Sequence, residues 1–230
     1  MNPRDTILAR IREALRVPAA RHAEPAPPAP ARGETTTPPA RDFTGLLPRV
    51  GPRFEDWAAA FAAASKELRT EFVLCETEAQ VRAELLRLRD ATGWQRLAAH
   101  RGRWVAPLAG ALDRPVLWTD DGYDKSALEV CDAGLTGCDA LVAQTGTVVV
   151  TSASAGGRAL SVLPPHHVVL ARREQLVPDL PTAFRRLEEQ YGASYPSLIS
   201  LITGPSRTGD IERILVLGAH GPKRLTVLCW

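Results

Sequence analysis

The 230-residue chain has no apolar stretch approaching about 18 residues, so nothing in it is expected to span a bilayer. The first fifteen residues carry charges throughout and lack the apolar core of a signal peptide. Their Arg-rich amphipathic character loosely resembles a transit peptide, but Asp5 and Glu13 count against that. The expectation is a cytoplasmic protein. There are only four cysteines, Cys75, Cys131, Cys138 and Cys229, and none forms a C-x-x-C pair. Cys131 and Cys138 are separated by six residues, and no His/Cys grouping has the spacing of a zinc or iron–sulfur site. Buried, reduced thiols are expected, and no cofactor is expected in this chain. A net charge of +2, with no Lys/Arg run and no basic stripe interleaved with aromatics, argues against nucleic-acid binding.

What remains is an ordinary globular composition, 45% hydrophobic and 23% charged, long enough for one sizeable core and an appendage. Residues 1–17 place Ile7, Leu8, Ile11 and Leu15 on one helical face, with Asp5 as a cap. A helix of about three turns is marginal alone and needs a partner surface. Residues 18–42 form a Pro/Ala-rich linker. Positions 18–40 hold seven Pro and seven Ala but no Val, Ile, Leu or Phe, too little apolar surface to offset ordering entropy. Such a segment stays extended and tethers the N-terminal helix.

Residues 43–230 read as one α/β domain. Phe54, Trp57, Ala58, Phe61 and Leu68 line a helix over 54–69, and Thr77 caps another reaching about Arg89. Strands are predicted at 72–75 and 116–118, and as short apolar runs at 140–143, 147–150, 168–171, 198–202 and 225–228. Near-continuous β-branched runs suggest strands covered on both faces. A helix over 181–191, with Pro181 at its start and Gly192 past its end, lies among them. The pattern predicts a layered α/β/α domain with a largely parallel sheet.

Three segments have the residue types for ligand binding. Gln144-Thr145-Gly146-Thr147 combines a permissive glycine with flanking hydroxyls, and reads either as an anion-holding turn or as a plain β-turn. Ser154-Ala155-Gly156-Gly157-Arg158 is a small-residue loop ending in a cation suited to phosphate or carboxylate, or a surface loop. Residues 198–202 run as a strand into Thr203-Gly204-Pro205-Ser206-Arg207-Thr208, with a helix predicted at about 210–217, Asp210 at its start and Gly218 past its end. A strand end feeding a helix N-terminus lined with Ser, Thr and Arg is an anion-binding geometry, and open α/β sheets gather ligands at strand carboxyl ends. His166 and His167 alternate along a strand, one expected in solvent and the other facing a site or the core. His220, before the last strand, is an acid/base candidate. No catalytic triad assembles from sequence order, and the catalytic residues stay unassigned.

Asp132–Thr136, Ala143–Thr147, Leu163-Pro164 with His167, Ile202–Glu212 and Leu217–Pro222 together resemble the LUD domain of the LutC/YkgG family, in family order over roughly residues 130–228. The string Gly204-Pro205-Ser206-Arg207-Thr208-Gly209-Asp210-Ile211-Glu212 is its most specific part. The resemblance implies a fold like that of the NagB/RpiA/CoA-transferase superfamily. It also implies a role in oxidising L-lactate to pyruvate alongside lactate utilization proteins A and B, whose iron–sulfur clusters lie in the partner proteins. Relatives on this fold handle sugar phosphates, CoA esters or folates, so a small anionic metabolite is an expected ligand by analogy. Gln144 stands where many relatives carry Glu; an amide cannot act as nucleophile or general base, which argues against covalent CoA transfer. The alternative function is a free-standing enzyme or sensor for a phosphorylated or CoA-linked metabolite. A homo-oligomer is compatible with either.

Overall fold

Helix α1 (Phe54–Leu68) begins where Arg53 and Asp56 cap each other and ends at Arg69, in left-handed conformation at φ 61°. It leads into strand β1 (Glu71–Leu74), then α2 (Glu78–Thr92), which Thr77 caps by accepting the Gln80 N–H. Next come β2 (Leu97–Ala99), α3 (Val105–Gly110), β3 (Val116–Trp118), α4 (Lys125–Glu129) and β4 (Ala133–Thr136). After β5 (Ala140–Val142), β6 (Thr147–Thr151), β7 (His166–Ala171) and β8 (Leu176–Val177), helix α5 (Leu180–Tyr191) starts at Asp179, whose carboxylate accepts the Thr182 N–H, and stops at Gly192. Strands β9 (Ile199–Ile202), β10 (Arg207–Thr208), β11 (Val216–Leu217) and β12 (Arg224–Cys229) complete the chain. This computed structural model describes residues 47–208, 216–218 and 220–230, and residues 7, 9, 10, 12 and 13. Those five N-terminal residues are helical and exposed. The rest of the 1–17 segment, the linker over 18–42, and Asp210 lie outside the described residues.

The main sheet is six-stranded and wholly parallel, in the order β1-β12-β7-β4-β2-β3. Its two faces follow the period-two alternation of its strands. Val168 and Leu170 of β7 join Val81, Leu85, Leu88 and Leu108 from α2 and α3 on one side. Val169 and Ala171 join Phe61 of α1 with Leu141, Val148 and Val150 of the next sheet on the other. That second, four-stranded sheet is ordered β8-β5-β6-β9, and its far face packs Ala140, Val142 and Val149 on Ala183 and Leu187 of α5. The result is a layered α/β/α architecture around a parallel central sheet, with the smaller mixed sheet between it and α5.

The predicted runs of the second half therefore divide between two sheets. The link between β5 and β6 is only residues 143–146, far too short for the crossover that parallel strands require, so the pair is an antiparallel hairpin. Strand β9 pairs antiparallel with β6 at the edge of this sheet, and Ile199 (37% exposed) and Leu201 (42%) face solvent instead of being covered on both sides. The helix predicted over 210–217 is also corrected at its end. Val216–Leu217 is a strand, antiparallel to Arg207–Thr208.

Candidate functional site

The hairpin turn after β5 and the loop after β9 meet at the C-terminal end of α1. The Thr145 hydroxyl lies 2.7 Å from that of Thr147, which lies 2.8 Å from that of Thr203. Gly146 (φ 64°) and Gly204 (φ 86°) both abut α1. A Cβ on Gly146 would stand 2.9 Å from the Ala64 Cβ, and one on Gly204 would stand 3.2 Å from the Leu68 carbonyl oxygen. Both glycines thus combine a left-handed backbone with a close approach that a side chain would block. Arg207 completes the junction by donating from its guanidinium to the Leu68 carbonyl. Gln144 is held as well, its amide donating to the Pro48 carbonyl over 2.8 Å.

The segment before β12 folds back over the loop after β9. Ser206 donates its N–H to the Pro222 carbonyl and accepts from the Gly218 N–H, each at 2.9 Å. This brings Gly221 and His220 beside Thr203–Ser206. Under the joined segments lies a cavity of about 270 Å³ lined by Ser161, His167, Thr203, Ser206, His220 and Leu225, among others. Of the predicted site residues, His167, Gly204, Ser206 and His220 line it. Thr145, Gly146, Thr147 and Arg207 belong to the junction on α1 instead.

Arg158 lies apart, its guanidinium donating to the Ser197 carbonyl at 2.9 Å. Arg158 and Arg207 are each bonded to a backbone carbonyl. Thr208 is in the β10 ladder. Residues 198–202 do not end at the ligand-gathering edge of a parallel sheet, because β9 is an antiparallel edge strand of the smaller sheet.

Neither histidine of β7 is solvated. The expectation of one exposed imidazole fails because β7 is a central strand with both faces covered. His167 is 1% exposed and its Nε2 sits 2.8 Å from the Thr136 hydroxyl. Burial, with His166 next to it, depresses its pKa to about 3. His166 is bonded to Thr226 at 2.9 Å, and burial, helped by Arg224, depresses its pKa to about 4. Both are neutral at physiological pH. The Nδ1 atoms of both are buried with no hydrogen-bond partner among the described residues.

Sequence reasoning missed a buried polar network around Asp139, which is 2% exposed. Tyr191 donates to one carboxylate oxygen at 2.5 Å and Ser154 to the other at 2.6 Å, while Gln190 adds a longer contact at 3.3 Å. Burial and the Asp139 hydrogen bond raise the Tyr191 pKa to about 12, so the phenol stays a donor. No spacing signal marks this network, since its members come from three elements. Among the described residues, no group of three or more His, Cys, Asp or Glu is placed to hold a metal ion, and no helix is long and apolar enough to cross a membrane.

Comparison with known proteins finds similarity to one domain family and to its relatives. The LUD domain family matches residues 119–229. A lactate utilization protein C of Shouchella clausii is 36% identical over 120 residues, 50% of this chain and 52% of that protein. One from an Exiguobacterium species is 27% identical over 198 residues, 83% of this chain and 86% of that protein. A crystal structure of a DUF162 family protein from Deinococcus radiodurans shares the fold with a TM-score of 0.62 at 21% identity, covering 78% of this chain and 99% of that one. The chain is thus similar to the LUD domain over residues 119–229 and to proteins named lactate utilization protein C. Apart from the Exiguobacterium protein, it spans about half the length of the first curated relatives it matches.

Proposed function

We propose that this chain is a lactate utilization subunit that supports oxidation of L-lactate to pyruvate together with the iron–sulfur partner proteins A and B, in the cytoplasm. The observation that carries the reading is that described parts of two segments that carry the resemblance, 202–206 and 220–222, lie together at one cavity. The relatives' name, lactate utilization protein C, supplies the pathway. The cavity offers hydroxyls from Ser161, Thr203 and Ser206 and the imidazole of His220, groups suited to a small anionic metabolite bearing a hydroxyl or carbonyl. At about 270 Å³ it is smaller than pockets for drug-sized ligands, typically about 300–1,000 Å³, which favours a small acid over a CoA ester. In this reading electron transfer belongs to the partners and binding belongs to this chain.

The test is genetic and biochemical. Deleting the gene should abolish growth on L-lactate, and full-length protein should restore it. Tagged chain should copurify with proteins A and B when all three are co-expressed. Unimpaired growth of the deletion strain together with no copurification would overturn the proposal.

A further inference from the structure

The parallel sheet reverses its winding once, at a place reached by the Ser154–Gly157 loop but away from the cavity under Thr203–Ser206. From β2 the chain passes to β3 on one side, then returns across β2 to β4, and β7 and β12 continue outward from there. The reversal lies between β2 and β4. Open α/β sheets bind ligands in the crevice that such a reversal leaves outside the strand carboxyl ends. A cavity of about 210 Å³ opens at this position, lined by His100 after β2, Gly137 after β4, Gly102, Arg103 and Trp104 from the β2–α3 loop, and Ser154 from the loop after β6.

The crevice is built and held. Nε2 of His100 accepts the Gly137 N–H at 3.3 Å, closing the mouth between the two strand ends. The imidazole is 7% exposed, and burial lowers its pKa, so the ring is a neutral hydrogen-bonding group. Two glycines admit it: a Cβ on Gly102 would come 2.4 Å from the ring Cε1, and one on Gly156 would come 2.2 Å from the His100 Cβ. Thr119, after β3, donates to the Gly156 carbonyl at 2.9 Å, and Asp139 fixes Ser154 from below. Loops from four strand ends therefore converge on one imidazole.

Two guanidinium groups flank Trp104 of this crevice. Arg103 and Arg172 both lie over the Trp104 ring, with Cζ 4.4 Å and 5.0 Å from its centroid. Of the nearby acids Asp121 is charge-paired, whereas Asp120 and Asp139 accept from uncharged donors. Asp120 and Asp121 bind the N–H and guanidinium of Arg101, and Asp139 is occupied by Ser154 and Tyr191. Glu174 lies 3.9 Å from Arg172, and Arg103 forms no ion pair with a described carboxylate. The Nε atom of Arg172 and Nε1 of Trp230, whose ring also lies under Arg172, are buried donors with no hydrogen-bond partner among the described residues.

We infer that the crevice between the carboxyl ends of β2 and β4 is a second ligand site, separate from the cavity under Thr203–Ser206, and that it takes a small carboxylate. The carboxylate pairs with the planar guanidinium of Arg103, whose fork matches two oxygens. Arg103 is the one crevice-lining Lys or Arg among the described residues, which matches the single charge of a monocarboxylate and leaves a phosphate dianion half-neutralised.

Isothermal titration of the full chain with sodium pyruvate, and in parallel with acetate and inorganic phosphate, tests this. Pyruvate and acetate should bind saturably and phosphate should not. Arg103→Ala, an exposed position, should weaken pyruvate binding roughly tenfold or more, Arg103→Lys should recover part of it, and Arg185→Ala on α5 should leave it unchanged. The inference is overturned by absence of saturable pyruvate binding, by preference for phosphate, or by loss of binding in His220→Ala with Arg103→Ala unaffected. None of these outcomes touches growth on lactate or copurification, so failure here is distinct from failure of the proposed function.

Discussion

The Thr147 hydroxyl stands 2.8 Å from the Thr203 hydroxyl, joining a β-hairpin to the end of an edge strand 56 residues further along the chain. Around that contact the two family segments acquire their shape, since Gly146 and Gly204 press both loops onto the end of α1. Gly204→Ala should therefore destabilise the protein. The left-handed backbone alone costs about 1–2 kcal/mol for a residue with a Cβ, and the Leu68 carbonyl must also yield. Chemical denaturation should show a lower midpoint; an unchanged midpoint would mean that the loop is not held against α1.

Tyr191→Phe removes a donor from a buried carboxylate while keeping the ring. Asp139 retains Ser154 and Gln190, so the expected loss is about 1–3 kcal/mol, not unfolding. Urea denaturation measures it directly. A neutral result would show that the Tyr191–Asp139 bond contributes nothing.

The β7 histidines predict a pH dependence. Their folded pKa values, about 3 for His167 and about 4 for His166, lie below the ordinary value of 6.5. Above that ordinary value both are neutral whether folded or unfolded, and there is no penalty. As pH falls, the unfolded chain takes up protons that the folded chain refuses, so their contribution is lost progressively from about pH 6.5 towards the folded values. Denaturation midpoints should drop between about pH 7.5 and pH 5, and His167→Gln should flatten that slope even if it is less stable at neutral pH.

All four cysteines are buried and unpaired, and burial raises the pKa of each thiol, that of Cys229 to about 12. A thiol-specific chromogenic reagent should react slowly with native protein, and four equivalents should appear on denaturation. Rapid native reaction would show that one of these thiols is accessible.

Local chemistry was the legible part of the fold. Thr77 caps α2, and α5 runs from just after Asp179, with Pro181 in its first turn, to Gly192, because capping and turn residues act within a few positions of themselves. The division into two sheets was also implicit, since four residues between β5 and β6 permit only a hairpin. Partner-dependent facts were not legible. The burial of both His166 and His167 depends on β12 and β4 flanking β7, and these lie far away in sequence. The strand at Val216–Leu217 is a two-residue ladder too short to carry a pattern, whereas the residues before it have helical spacing. His100 escaped notice because β2 is three residues long, and its place at the sheet reversal follows only from strand order.

The most direct test of the central claim is the rate of L-lactate oxidation by co-expressed proteins A and B, with and without this chain. The account predicts full activity only when all three are present, together with a stable complex. Equal rates with and without the chain, and no association, would contradict it.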